Sequence, residues 1–167
     1  HRATALEAKL DHLVYATPDL AGTVARIRDE WGITPTPGGS HDGMGTANAL
    51  LAIGNGAYLE IIGPDPSQPD HVGPRPFGVD DVTEPRLITW AAAVPDLDLW
   101  LAWCTARKLD PGPAFTMQRT TPAGDVLHWR LPLPPGDGDG VVPFLIEWPG
   151  ATPATTAAAG VELFDFE

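Results

Sequence analysis

Leu10–Leu20, LDHLVYATPDL, returns in altered form as Leu87–Leu97, LITWAAAVPDL. Laying Pro18 on Pro95 also superposes Leu10 on Leu87, Ala16 on Ala93, Asp19 on Asp96 and Leu20 on Leu97. In each copy an apolar, strand-like run stops at Pro-Asp-Leu and a helical pattern follows. The spacing is too long for a solenoid repeat, so it points to a duplicated half-domain. The copies differ at His12, which is Thr89 in the second. A histidine that only one copy carries is not required by the repeat, which makes His12 a candidate for chemistry.

The chain in order supports two halves. Leu10–Ala16 reads as a strand with Leu10, His12, Val14 and Ala16 on one face and Asp11, Leu13, Tyr15 and Thr17 on the other. Thr17 or Asp19 caps the helix that follows, whose buried stripe is Leu20, Val24, Ile27 and Trp31, and Gly32 ends it. Ile33–Pro37 is a short extended segment and Gly38–Gly45, GGSHDGMG, a glycine-rich loop. Thr46–Ile53 and Ala57–Ile62 form a hairpin around Gly54-Asn55-Gly56. Gly63–Glu84 has no periodicity and reads as a linker. The second half repeats the order: strand Arg86–Ala92, helix Pro95–Lys108, strands Phe115–Thr121, Val126–Leu133 and Val142–Trp148. Leu133–Gly140 is a flexible loop. A tail follows, with one more possible strand at Val161–Phe166. The module boundaries are thus 10–62 and 86–148, with a linker at 63–85 and a tail at 149–167.

Charge narrows the partners. Ten Lys and Arg against 22 Asp and Glu give a net charge of −12, which repels phosphate backbones and anionic lipid. No apolar run reaches the roughly 18–20 residues of a membrane helix. The expected partner is a small molecule, not nucleic acid or membrane, and the expected state is monomer or homodimer. Cys104 is the single cysteine, so neither an internal disulfide nor a cysteine-based zinc site is available, and a cytoplasmic location is the default. His1 stands where an initiator Met is expected, so the start reads as trimmed. The end at Glu167 leaves room for a later module that completes the function.

Four segments carry a resemblance: Leu10-Asp11-His12; GGSHDGMGTAN over Gly38–Asn48; Tyr58-Leu59-Glu60; and FLIEW over Phe144–Trp148. In this order and spacing the chain resembles the glyoxalase-like domain family of the vicinal oxygen chelate superfamily, which includes glyoxalase I, extradiol dioxygenases and bleomycin-resistance proteins. The resemblance implies an α+β fold: two tandem βαβββ modules whose curved mixed sheets surround a pocket, with helices outside. It places metal-ligand positions at His12, Glu60, Thr89 and Glu147. Threonine is a poor transition-metal ligand, so the implied set is His12, Glu60 and Glu147, holding a divalent ion such as Zn, Mn, Ni or Fe(II). The plainer reading of His12 is a histidine hydrogen-bonded to Glu60 inside the core. Carboxyl groups on otherwise apolar strands need compensation in either case.

Other candidates surround that set. His41 is read as an acid or base on a loop at the pocket rim, or else as a solvated loop residue. Asn48 and Thr89 are candidate substrate contacts. His128 and Arg130 share a strand face, which either lines the cavity and offers a cation to an anionic ligand or faces solvent. Trp90 and Trp148 are pocket walls or outer packing residues. The implied function is a metal-dependent lyase or isomerase acting on a small oxygen-rich organic molecule, with Glu60 or Glu147 moving a proton and His41 assisting. The alternative is a metal-free protein that sequesters a small molecule, as bleomycin-resistance relatives do. Convergence of His12, Glu60 and Glu147 separates the two.

Overall fold

The computed structural model describes residues 6–133 and 140–149; most of the Leu133–Gly140 loop and the Val161–Phe166 segment lie outside them. Eleven elements follow one another: β1 Lys9–Ala16, α1 Leu20–Trp31, β2 Thr36–His41, β3 Thr46–Gly54, β4 Ala57–Pro64, a 3-10 turn Pro76–Asp81, β5 Arg86–Ala93, α2 Leu97–Ala106, β6 Ala114–Thr120, β7 Val126–Pro132 and β8 Phe144–Ile146. The βαβββ order occurs twice. The strands form one mixed sheet in the order β7-β6-β2-β3-β4-β1-β5-β8. In each half the first strand runs parallel to the last, and the two halves join through antiparallel β1–β5 and β2–β6 pairs. Arg130 and Glu147 exchange backbone hydrogen bonds of 2.9 and 2.8 Å, bringing β7 to the chain just past β8 and nearly closing the sheet into a barrel.

Alternation along the strands then produces two cores. Val14, Ala16, Ile62, Ala91, Met117, Trp129, Phe144 and Ile146 fill the inside. Leu51, Ile53, Leu59 and Ile61 point outward and are covered by Ile27 of α1. Asp19 caps α1 by accepting from the Gly22 amide, and Asp96 caps α2 by accepting from the Leu99 amide. The same Pro-Asp-Leu signal therefore starts both helices. Trp31 is not part of the α1 stripe. It is 52% exposed at the last position of the helix, and Thr23 takes the buried place.

Three sequence expectations change. The segment Gly38–His41 is a strand, not a loop, and the tight turn is confined to residues 42–45. Glycine is what lets this strand enter the sheet. A Cβ on Gly39 would fall 1.8 Å from the Thr120 carbonyl oxygen of β6, and one on Gly38 would fall 2.0 Å from Asn48 Oδ1. Second, β1 contains a bulge. Leu10 pairs with Ala92 and His12 with Ala91, so Asp11 is the extra residue. Leu10 therefore turns outward with Leu13 and Tyr15, while Asp11 is buried beside His12. Third, the segment read only as a linker adds to the core. Val79 and Val82 join the inner core, and Phe77 stacks against Phe144 at 4.9 Å.

Asp65 and Gln68 fasten this linker to the 42–45 turn. Gln68 Oε1 accepts from the Gly43 and Gly45 amides, and its Nε2 donates to the His41 carbonyl oxygen and to Asp65 Oδ2. Asp65 Oδ1 accepts from the Ser67 amide and hydroxyl. Partial burial acts to raise the Asp65 pKa, but the hydrogen bonds from Ser40, Gln68 and Ser67 outweigh it and hold the group at about 2. A carboxyl whose folded pKa is depressed adds stability above its unfolded value and loses it as pH falls. The thermal midpoint should therefore drop between about pH 4 and pH 2, and Asp65→Asn should flatten that part of the profile. A variant whose acid limb matches wild type would remove Asp65 from this role.

Candidate functional site

Six buried polar side chains meet inside the barrel: Asp11, His12, His41, Asn48, Glu60 and Arg119, none more than 7% exposed. Their strands explain the meeting. Glu60 on β4 lies between Leu50 of β3 and Val14 of β1, so His12 and Asn48 reach it from either side. The Glu60 carboxyl is the centre. Asn48 Nδ2 donates to its Oε2 at 2.7 Å, while His12 Nε2 stands 3.7 Å from Oε1 and His41 Nε2 3.7 Å from Oε2.

Hydrogen bonding sets the proton on each imidazole. His12 Nδ1 lies 2.6 Å from Asp11 Oδ2. A carboxylate can only accept, so Nδ1 carries the proton, and Nε2 is the nitrogen that faces Glu60. Tyr58 OH and Trp148 Nε1 also donate to Asp11 Oδ2, at 3.3 and 3.4 Å, and the Tyr58 ring stacks on His12 with centroids 4.7 Å apart. Burial, then the charges of Asp11 and Glu60, keep the Tyr58 phenol well above its ordinary pKa. At His41, Asn48 Nδ2 donates to Nε2 at 3.2 Å, so Nδ1 holds the proton and donates to Thr46 Oγ1 at 2.9 Å. Burial is the main cause that lowers the His41 pKa. The Glu60 charge opposes it, and Arg119 and His12 add to the lowering.

The sequence candidates thus separate. His12, Glu60, Asn48 and His41 come together. His41 does so as a buried strand residue, not from a rim loop, because the glycines place it in β2 and Gln68 holds the turn beside it. Thr89 is half-buried on β5, opposite Val14. Glu147 is a correction. Its Oε2 accepts from the Leu97 amide at 2.8 Å and its Oε1 from Arg130 Nη1 at 3.2 Å, on the outside at the start of α2. Register gives the reason. Val14 pairs with Glu60, and its repeat partner Ala91 pairs with Phe144; Thr17 bonds the Ile62 carbonyl as Val94 bonds that of Ile146. Phe144 therefore occupies the place of Glu60, and Glu147, an odd number of residues further on, belongs to the other face. His128 and Arg130 are corrected likewise. Trp129 and Leu131 point inward, His128 is exposed, and Arg130 pairs outside with Asp98 and Glu147. Trp148 is a wall of the site, whereas Trp90 Nε1 bonds the Val141 carbonyl oxygen.

Asp11, Tyr58 and Arg119 join the site without having been singled out. Tyr58 shares strand phase with Glu60, and Arg119 shares it with buried Met117, so both were readable as inward-facing. Asp11 was not readable that way, because the bulge that turns it inward breaks the alternation.

A divalent ion of the implied kind is held by three or more protein donors around one point. The set His12, Glu60 and Glu147 does not fit, since Glu147 lies outside. Among the described residues, no group of three or more His, Cys, Asp or Glu side chains is spaced to hold a metal ion. The two His41 nitrogens and Glu60 Oε2 already have protein partners. Nor is any helix among these residues long and apolar enough to cross a membrane.

Comparison with known proteins places this geometry. The sequence profile of a glyoxalase-like domain matches residues 10–164. No curated protein sequence matches the chain. Among solved structures, a hypothetical protein from Staphylococcus aureus aligns with a TM-score of 0.68 at 19% identity, over 87% of this chain and 61% of that one. The chain therefore spans about three-fifths of that relative. Methylmalonyl-CoA epimerase from Mycobacterium tuberculosis aligns at 0.55 and 23% identity, over 84% of this chain and 88% of that one. The Streptomyces coelicolor epimerase in complex with 2-nitronate-propionyl-CoA aligns at 0.56 and 19%, over 89% and 99%. At these identities the likeness is one of fold.

His41 is neutral in the folded state and its pKa is depressed there, so the unfolded chain takes up its proton first as pH falls. Stability should fall below about pH 6.5, the unfolded value, and an NMR titration should place the His41 midpoint below that ordinary histidine value. His41→Ala should cost roughly 1–3 kcal/mol in denaturant melts, because it strands buried Thr46 and Asn48; a cost near zero would return His41 to a solvated position. Glu147→Ala should cost roughly 1–2 kcal/mol, since Leu97 N and Arg130 lose an acceptor, while ligand affinity stays that of wild type.

Proposed function

Because the chain belongs to the glyoxalase-like domain family, we propose that its barrel interior binds a small, oxygen-rich organic molecule and moves a proton on it, as an isomerase or lyase. The observation that carries this reading is Glu60, buried among two imidazoles and an amide. Glu60 is the group that takes the proton from a carbon next to a carbonyl and returns it. Asn48 fixes the carboxyl plane through Oε2, which leaves Oε1 facing His12 Nε2. His12, held by Asp11, faces Oε1 and serves as the relay that takes that same proton from Glu60 and hands it back before it returns to carbon. His41 lines the opposite side and stays neutral, so it adds no charge to compete with the substrate. The epimerases among the structural neighbours agree with such chemistry, since inverting a stereocentre requires a proton to leave and return. No step here runs through a metal ion, because among the described residues the donors do not assemble for one.

A second reading is favoured by Glu147. The carboxyl expected to complete a metal centre is engaged elsewhere, which is what a metal-free binding protein of the sequestering kind would show. Deuterium exchange separates the two. In D2O, 2-oxobutanoate and related small oxo acids should lose their C3 protons faster with the protein, as read by proton NMR. Glu60→Gln, which keeps size and the Asn48 contact in reach, should slow the exchange by about 10²–10⁴-fold. Tight binding of an oxo acid with no acceleration of exchange by wild type would leave the sequestering reading in place.

A further inference from the structure

We infer that Arg119 is the seat for a carboxylate carried by the molecule this barrel binds. The inference rests on the interior being the small-molecule site, and it names the class of ligand.

Arg119 is 3% exposed on β6, directly across from His41 of β2. A guanidinium has five N–H donors in a fixed fork and no acceptor. Among the described residues this one makes a single hydrogen bond, from Nη1 to the Gly38 carbonyl oxygen, and no ion pair. Burial lowers its pKa, and the carboxyl whose charge reaches it is Glu60, acting through space without contact. A buried cation without a bonded anion is costly, and the remaining donors of its fork are unmatched. Beside it lies a second unmet demand. Asn48 Oδ1 is buried with no hydrogen-bond partner among the described residues, and as an acceptor it calls for a hydroxyl or other donor on the ligand, apart from the carboxylate. A methyl placed on Gly38 would fall 2.0 Å from Asn48 Oδ1 and 3.4 Å from Arg119 Nη1, so the two side chains lie side by side against Gly38.

The chemistry of the fork selects the ligand. A planar guanidinium matches a planar carboxylate through two parallel bonds. One cation balances one negative charge. A phosphate brings nearly two, and here it would meet the Glu60 and Asp11 carboxyls with only one compensating group. A monocarboxylate seated at Arg119 also needs no metal to hold it. Its carbon skeleton then extends towards Glu60, whose charge is felt at Arg119. The same arginine replaces Arg130, the cation that strand alternation offered, which lies outside in a pair with Asp98.

The test uses the full chain and three probes: 2-oxobutanoate, its neutral methyl ester, and inorganic phosphate. Binding is read by calorimetry and by the fluorescence of Trp129 and Trp148, which stand against each other at 5.2 Å beside the cluster. The acid should bind at least tenfold tighter than the ester and tighter than phosphate. Arg119→Met should weaken the acid at least tenfold and leave the ester unchanged, and Arg119→Lys should lie between. The wild-type Arg119 side-chain Nε–H resonance, assigned through Arg119→Lys, should move on addition of the acid and not of the ester. That reading holds even where Arg119→Met does not fold. Equal affinity for acid and ester, tighter phosphate binding, an unmoved resonance, or a folded Arg119→Met with full affinity would each overturn the proposal. In that event Arg119 only staples β2 to β6. Binding is measured without turnover, so failure of proton exchange with acid binding intact sinks the catalytic reading alone.

Discussion

A carboxyl group inside an apolar barrel is the constraint around which the interior is built. Glu60 is 7% exposed on a strand whose neighbours Ile61 and Ile62 are fully buried. Leaving it unpartnered there would cost several kcal/mol. Three different strands bring groups to it: Asn48 on β3 donates to it at 2.7 Å, and His12 on β1 and His41 on β2 stand 3.7 Å away. Each partner is itself held by a further group, namely Asp11 behind His12 and Thr46 behind His41. The chain of satisfaction ends at Asn48 Oδ1, which has no partner among the described residues, and near Arg119, whose fork is mostly unmatched. A folded core would close these demands with protein groups. Among the described residues the two are left open side by side, an acceptor calling for a donor and a cation calling for an anion.

Local sequence pattern carried the architecture well and the site in part. The duplicated Pro-Asp-Leu gave both helix starts, because an Asp cap before an apolar stripe acts within a few residues. The hairpin at Gly54-Asn55-Gly56 was legible for the same reason. The β2 strand was not. Gly38 and Gly39 look like loop residues in isolation, and only the closeness of Asn48 and of the Thr120 carbonyl shows why a strand must be made of glycine there. The position of His41 followed from that misreading, moving from a rim loop to the buried interior.

The site errors share one physical origin, which is phase. A strand face is fixed by parity, and parity survives only where the register is unbroken. The bulge at Asp11 breaks it in β1 and hides the residue that orients His12. Glu60 and Glu147 look equivalent, since both follow a short aromatic-led apolar run, yet counting from Thr17 and Val94 puts Phe144 in Glu60's place. On β7, Trp129 claims the inner face by bulk, and Arg130 follows to the outside. An arginine beside a tryptophan says little about facing. Arg119, in phase with Met117, had the better signal.

Superposing the halves by their hydrogen bonds shows a division of labour. Where the first half has His12 and Glu60, the second has Thr89 and Phe144. Ala47 pairs with Gly63 as Arg130 pairs with Glu147, so Asn48 corresponds to Leu131. Each polar member of the Glu60 cluster on β1, β3 and β4 is thus replaced by a threonine or an apolar residue. The second half supplies a wall, with Phe144 edge-on to His12 at 5.7 Å and Trp129 edge-on to His41 at 6.0 Å. Among the described residues its one charge among the buried side chains is Arg119. Two copies of the polar set would put a second buried carboxyl opposite the first, and like charges at close range in a low-dielectric interior repel strongly. Keeping the acid in one half and a single cation in the other avoids that cost and gives the interior a polarity. Under the proposed function, a molecule entering it would meet the Glu60 cluster on the first half and a cation with apolar walls on the second, and the difference between the copies would set its orientation.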